Sequence, residues 1–306
     1  MHLRIAIGLV ILTVFGLPER SSAQAPPQDP NQSFTFCVFG DNRPSDDRHQ
    51  IPQVFNDILA DIRKHKPVFV VTTGDLILGD GDLNSMTAQY DAVLPSIKSL
   101  GVPVYFASGN HEIKNSGLVS PSDAQKLYLS KVYPKLYYSF DYGNSHFVIL
   151  DSNEADQMDK IAGDQLAWLQ KDLDAAEVVA KHVFVFEHEP PYPVSKHIGS
   201  SLDKHSTERN AYERVLEAHH IDALITGHEH LYDYSVVKNG TKGASVSDGI
   251  IEIEAGGAGA PLMPSKTGGS FNNYLIVHVE GDKVTISVVR MKPYGVFSAD
   301  TDFTRN

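Results

Sequence analysis

The sequence predicts an α/β fold of two packed, mixed β-sheets with helices on their outer faces. Three observations carry this. Short apolar runs alternate with longer helical segments from residue 34 onward, a βαβαβ beginning. The runs are continuously apolar rather than alternating, as in strands buried on both faces. The chain then ends in β-rich sequence with turns, without a repeat or a second linker, so one domain of two sheets accommodates both halves.

Each element follows in order. Phe34–Gly40 reads as a strand, Ile51–His65 as a helix and Val68–Thr73 as a strand. Met86–Leu100 is a helix and Val104–Ser108 a strand. Leu136–Asp141 and Ser145–Asp151 flank Tyr142-Gly143-Asn144, a hairpin signal. Gly163–Ala180 reads as a helix with Trp168 on its apolar face, followed by a strand at His182–Phe186. Asn210–His219 is a helix and Ala223–Thr226 a strand. Tyr232–Val237, Gly249–Ala255, Tyr274–Glu280 and Lys283–Arg290 complete the β-rich end.

The chain has 306 residues, enough for one large core. Its formal charge of −12 argues against a broad nucleic-acid or anionic-membrane surface, though a metal site can reverse the local field. No nucleic acid is expected as a partner, and the oligomeric state is not legible. Cys37 is the single cysteine, so no intrachain disulfide forms, and its apolar neighbours make it a core thiol. Arg4, the apolar run Ile5–Leu17 and Ala23-Gln24-Ala25 make residues 1–25 a signal peptide cleaved after Ala25. That implies a secreted or periplasmic protein with no membrane span after cleavage; an uncleaved N-terminal anchor is the competing reading. Residues 26–33 are a Pro-rich linker, 34–292 the folded domain and 293–306 a C-terminal tail.

Five short motifs follow strands: Gly40-Asp41-Asn42-Arg43, Gly74-Asp75, Gly109-Asn110-His111-Glu112, Glu187-His188-Glu189 and Gly227-His228-Glu229-His230. Carboxyl ends of strands in an α/β sheet converge on one crevice, so these distant residues can meet. Asp41 and Asp75 offer carboxylates, Asn110 an amide oxygen, and His188, His228 and His230 imidazoles. Such a nitrogen and oxygen set suits Zn, Mn or Fe better than Ca. Singly the motifs are weak, because a Gly-Asp after a strand is usually a turn. Their order and position make coincidence improbable.

The series resembles the calcineurin-like metallophosphoesterases, relatives of the purple acid phosphatases. Segments 137–151 and 254–261 also resemble that family, and the likeness runs over about residues 34–290. It implies a four-layer sandwich with two divalent or trivalent metal ions between the sheets. It also implies hydrolysis of a small-molecule phosphate mono- or diester by a metal-bound hydroxide. Carried over, Asp75 bridges the metals; Asn110, His188 and His228 complete metal 2; Asp41 and His230 bind metal 1; His111 is the catalytic histidine. The tyrosine ligand of purple acid phosphatases is absent, its position being Leu78.

One departure stands out. The family usually has a histidine where this chain has Arg43, which has no lone pair to give a metal. Metal 1 then keeps only Asp41, Asp75 and His230, and is expected to be weakly held. Two readings of Arg43 remain open: a bidentate grip on phosphate oxygens, or a salt bridge to Asp46 or Asp47. Asp46, Asp47 and His49 are available as substitute ligands, and the spacing selects none.

The polar stretch 192–209 follows the His188 motif and can line the pocket through His197 and Arg209, or remain a surface loop. His65, His146, His182, His219, His220 and His278 read as structural or solvated. A catalytically impaired metal- or phosphate-binding protein that keeps the fold is the alternative to an enzyme.

Overall fold

A computed structural model describes residues 33–305 except 47, 115–117, 247 and 293–295. The expected signal peptide and nearly all of the expected linker therefore lie outside the described residues.

The first half builds β1 (Ser33–Phe39), α1 (Gln53–His65), β2 (Val70–Thr72), α2 (Leu83–Lys98) and β3 (Val104–Phe106). Two helices then precede the hairpin: α3 (Asn110–Ile113) and α4 (Pro121–Lys131). β4 (Tyr138–Tyr142) and β5 (Ser145–Ile149) form the expected hairpin, followed by α5 (Gly163–Ala176), β6 (His182–Phe186), α6 (Ser206–Ala218) and β7 (Ala223–Thr226). The β-rich end comprises β8 (Tyr232–Lys238), β9 (Thr241–Lys242), β10 (Ile250–Ala255), β11 (Asn273–Glu280), β12 (Lys283–Lys292) and β13 (Val296–Arg305).

These strands form two mixed sheets, ordered β13-β12-β11-β1-β2-β3 and β4-β5-β6-β7-β10-β8-β9. β1 shows why the runs are continuously apolar. Phe34, Phe36 and Val38 face the core between the sheets, while Cys37 and Phe39 face the helices α1 and α2. Phe36 stacks on Phe69 at 5.1 Å and meets Phe147 and Phe184 edge-on at 5.3 Å each, joining the two sheets. A third cluster packs α5 and α6 on the outer face of the second sheet, through Leu169, Leu173, Tyr212 and Leu216. Trp168 is partly buried there and lies 5.0 Å from the Tyr137 ring.

One expectation is corrected. The presumed tail 293–306 contains β13, which pairs antiparallel with β12 and extends the first sheet, because Val296–Arg305 finds an open strand edge there. Between Ser108 and Leu136, where the sequence analysis assigns no element, the structure has α3 and α4. α4 begins at Ser120, whose hydroxyl accepts from the Asp123 amide (3.1 Å), with Pro121 at the first helical position.

Candidate metal centre

The carboxyl ends of β1, β2, β3, β6 and β7 deliver the five motifs to one place. Three of the expected ligands sit in the left-handed backbone region: Asp41 at φ 59°, Asp75 at 55° and His228 at 70°. Non-glycine residues pay for that conformation, and such strain concentrates at functional sites. The glycines beside them serve a second purpose, close approach. A Cβ on Gly109 would lie 2.3 Å from Asp75 Oδ1, and one on Gly227 2.3 Å from Asp41 Oδ2.

Four atoms converge on a point. Asn110 Oδ1 lies 2.9 Å from His188 Nε2 and 3.0 Å from His228 Nδ1, and the two ring nitrogens are 3.1 Å apart. Asp75 Oδ1 is 3.4 Å from His188 Nε2. The opposite nitrogen of His188, Nδ1, donates to the Thr73 carbonyl at 2.8 Å, leaving Nε2 as a bare lone pair. Electron-rich atoms facing one another at this range repel unless something positive lies among them. One proton on His228 Nδ1 serves one contact, whereas a cation serves the set. Burial and neighbouring histidines push His228 well below the usual imidazole range, and burial pushes His188 down to about 4, so both rings are neutral and able to ligate.

A second group adjoins the first. Asp41, Asp75 and His230 bring one ligand atom each within 4.8 Å of one another, and all three are buried. His230 Nδ1 donates to the Pro261 carbonyl at 2.8 Å, turning Nε2 toward Asp41 Oδ1 at 3.5 Å. Burial also lowers His230 to about 4, with Arg43 adding to the effect. Asp41 accepts the His228 amide at 3.0 Å, and burial beside Asp75 raises its carboxyl well above the usual range. Asp75 is pulled the other way: despite burial, His188, His111 and Arg43 hold it low. Asp75 thus faces both groups, as a bridging carboxylate must. The residues fit two cations by the chemistry of their donors, and the two groups differ in what surrounds them.

Arg43 is the difference. Its Nε lies 3.5 Å from Asp75 Oδ2, close enough for attraction, yet that buried nitrogen makes no hydrogen bond in the structure. The alternative ion pair with Asp46 is absent among the described contacts; Asp46 takes Arg48 at 2.5 Å. Asp47 lies outside the described residues. His49 bonds Asp80 at 2.5 Å. Neither Asp46 nor His49 therefore substitutes as a ligand in this arrangement. Each is held by a nearer partner of opposite charge or hydrogen-bonding character.

His111 stands beside the carboxylates. Its amide donates to Asp75 Oδ1 at 3.0 Å and its Nδ1 to the Leu78 carbonyl at 2.6 Å. Nε2 is left as the nitrogen that can exchange a proton, 3.8 Å from Asp75 Oδ2. His197 also reaches the centre, its ring 3.9 Å from that of His228. Arg209 does not join them in any described contact. Its guanidinium lies 4.6 Å over the Tyr192 ring and bonds Asn210 at 2.9 Å, because α6 begins at Ser206 and fixes Arg209 in its first turn.

Two glutamates were not singled out as functional from the sequence. The buried Glu112 carboxylate accepts four backbone amides: Gly109 (2.7 Å), Asp75 (2.8 Å), Leu76 (2.8 Å) and Ile77 (3.3 Å). It thereby clamps the turn carrying Asp75 to the turn carrying Asn110. Glu229 accepts Ser195 (2.9 Å), Lys196 (3.2 Å) and His197 (3.0 Å), and so holds the His197 loop over His228. Both lie inside ligand motifs, one residue from a ligand or two, and that adjacency was the available signal.

The calcineurin-like phosphoesterase family model matches residues 34–232. The chain belongs to the calcineurin-like phosphoesterase family. Purple acid phosphatase 23 of Arabidopsis thaliana is 31% identical over 142 residues, covering 43% of this chain and 29% of that protein. Probable inactive purple acid phosphatase 9 of the same plant is 28% identical over 131 residues, covering 42% and 20%. The chain thus spans less than a third of the length of these relatives. The solved structure of purple acid phosphatase PPD1 from yellow lupin superposes with a TM-score of 0.70 at 18% identity, over 91% of this chain and 54% of that one, a likeness of fold. The family affiliation and the two-sheet architecture agree with the resemblance read from the motifs.

Proposed function

We propose that the protein is a metal-dependent hydrolase of small-molecule phosphate esters. The observation that carries this reading is the convergence of Asn110 Oδ1, His188 Nε2 and His228 Nδ1 within 3.1 Å of one another, next to Asp75. A single proton on His228 Nδ1 can serve one of these contacts, whereas a cation serves all of them, which supports the reading. When bound, ions such as Zn, Mn or Fe supply positive charge for the phosphate oxygens and make water acidic enough to act near neutral pH.

The chain's own residues do the rest. Asn110, His188, His228 and Asp75 would hold metal 2, and Asp41, Asp75 and His230 would hold metal 1. Arg43 keeps an unused buried Nε–H beside Asp75, placed to donate to a phosphate oxygen and to stabilise charge that develops there. His111 Nε2 delivers a proton to the departing ester oxygen while Leu78 fixes the ring. His197, held by Glu229, lines the same pocket and binds phosphate. Arg209 is left out of the pocket by its contacts with Tyr192 and Asn210. The N-terminal signal read from the sequence supports a secreted or periplasmic location.

A panel of phosphomonoesters, phosphodiesters and nucleotides with added metal tests the proposal and separates the ester classes. We expect turnover, and its loss by at least about a hundredfold in His188→Ala, a ligand whose removal leaves the metal 2 set incomplete. A second reading, a binding protein without catalysis, is favoured by Arg43 and by the relative named inactive. Bound metal without turnover on any ester in the panel would establish it instead.

A further inference from the structure

Two loops pass over the His228 and His230 side of the centre and are tied together. The first, after β6, carries Ser195, Lys196, His197 and Ile198. The second, after β10, carries Pro261, Leu262, Met263 and Pro264. The Ser195 hydroxyl donates to the Pro264 carbonyl at 2.6 Å. Met263 donates its amide to the His230 carbonyl at 2.9 Å, and the Pro261 carbonyl holds His230 Nδ1 at 2.8 Å. Glu229 fixes the amides of Ser195, Lys196 and His197.

These anchored loops present apolar carbon to water. Ile198 is 60% exposed and Leu262 38% exposed, and Pro261 and Pro264, on either side of Leu262 in sequence, are exposed as well. Ile198 directly follows the histidine that lies against His228, and Leu262 directly follows the carbonyl that orients His230. Exposed aliphatic residues scattered singly are ordinary, but a rim of them on two cross-linked loops beside a polar centre is a recognition feature. Exposed Lys196 and Lys266 interrupt the rim, so it is too small and too broken for a stable protein interface, which needs on the order of 1,000 Å². An apolar group a few atoms from a bound phosphate fits it.

We infer that Ile198 and Leu262, with Pro261 and Pro264, form a subsite for the ester group of the substrate, and that this group is apolar, aryl or alkyl, next to the phosphate. The inference rests on the phosphate-binding role proposed for the centre. A polar sugar or glycerol ester gains nothing from such a rim, whereas an aryl or alkyl group removes its own carbon from water against it.

The test reads binding rather than turnover. Calorimetric titration of the metal-supplemented full chain would compare 1-naphthylmethylphosphonate with methylphosphonate, neither of which is hydrolysed. We expect the naphthyl compound to bind about tenfold or more tightly, the scale of burying several apolar carbons. In Ile198→Ser/Leu262→Ser that ratio should fall to within about threefold. Val178→Ser, at an 82% exposed valine following α5, should keep the wild-type ratio. Equal binding of the two phosphonates, an unchanged ratio in the double variant, or binding of neither would overturn the inference. Selective binding without turnover of any ester would instead sink the hydrolytic reading and leave the subsite standing.

Discussion

Asp75 is asked to face two cations, and Arg43 is already beside it. The guanidinium lies 3.5 Å from Oδ2, while the metal 2 set gathers toward Oδ1. A permanent positive charge at that position repels a cation held by Asp41 and His230, and supplies no lone pair in compensation. Metal 1 should therefore bind more weakly than metal 2. Replacing Arg43→His removes the charge and adds a ligand. We expect its affinity for a second metal equivalent to rise by about tenfold or more, the scale of one like-charge interaction of 1–2 kcal/mol. Metal content by mass spectrometry after equilibrium dialysis would show this; an unchanged second equivalent would mean that Arg43 does not govern metal 1. The gathering of these residues was legible in the sequence because each stands in a short motif after a strand. The partner of Arg43 was not. Asp46 and Asp47 are near it in sequence, but Arg48 takes Asp46, and Asp75 approaches only because the parallel pairing of β1 with β2 sets the two strand ends side by side.

At the scale of elements, two side chains of the β4–β5 hairpin reach Asp172 of α5: Ser139, whose hydroxyl donates to it at 2.8 Å, and His146. His146 lies between Asp141 (2.6 Å) and Asp172 (2.8 Å) and is only 2% exposed. Burial alone would lower its pKa, but the hydrogen bonds and charges of the two carboxylates raise it to about 9. The folded value exceeds the unfolded value near 6.5, so the stabilisation is fully present below pH 6.5 and is lost as pH rises through about 9. Urea unfolding should show about 1–3 kcal/mol lost between pH 6 and 9.5, discounted because Asp141 is partly exposed, and His146→Asn should show a correspondingly smaller loss. Equal pH dependence in both proteins would contradict the role. In the sequence His146 read only as a residue that packs or hydrogen-bonds after a turn; Asp172 is 26 residues away on another element, and no local pattern joins them. Strand interiors were legible to within a residue or two, since Val183–Phe186 and Ala223–Ile225 are apolar throughout. α4 escaped because its signal is a cap, Ser120-Pro121, rather than a strong apolar face.

The whole molecule works as a clamp of two sheets whose strand ends meet at the centre. The first sheet contributes Asp41, Asp75 and Asn110, and the second contributes His188, His228 and His230. Their separation depends on the aromatic core between the layers. Phe36 is fully buried there, in contact with rings from both sheets. Phe36→Ala should cost about 3–5 kcal/mol of stability by calorimetry or urea unfolding. A cost under about 1 kcal/mol would mean that the sheets do not depend on this contact. The two-sheet architecture was legible because the chain begins βαβαβ and ends in strands. The place of the last strand was not. Val296–Arg305 has little apolar character and is strand by virtue of the β12 edge it meets, a tertiary cause outside any local pattern.

Metal held by these six residues is proposed to make the protein a phosphoesterase. The direct measurement is turnover of an activated phosphate ester by the full-length chain, before chelation, after it, and after adding back Zn, Mn or Fe. Chelation should abolish turnover and at least one of the ions should restore it; turnover that persists at its original rate in the metal-free protein would contradict the claim.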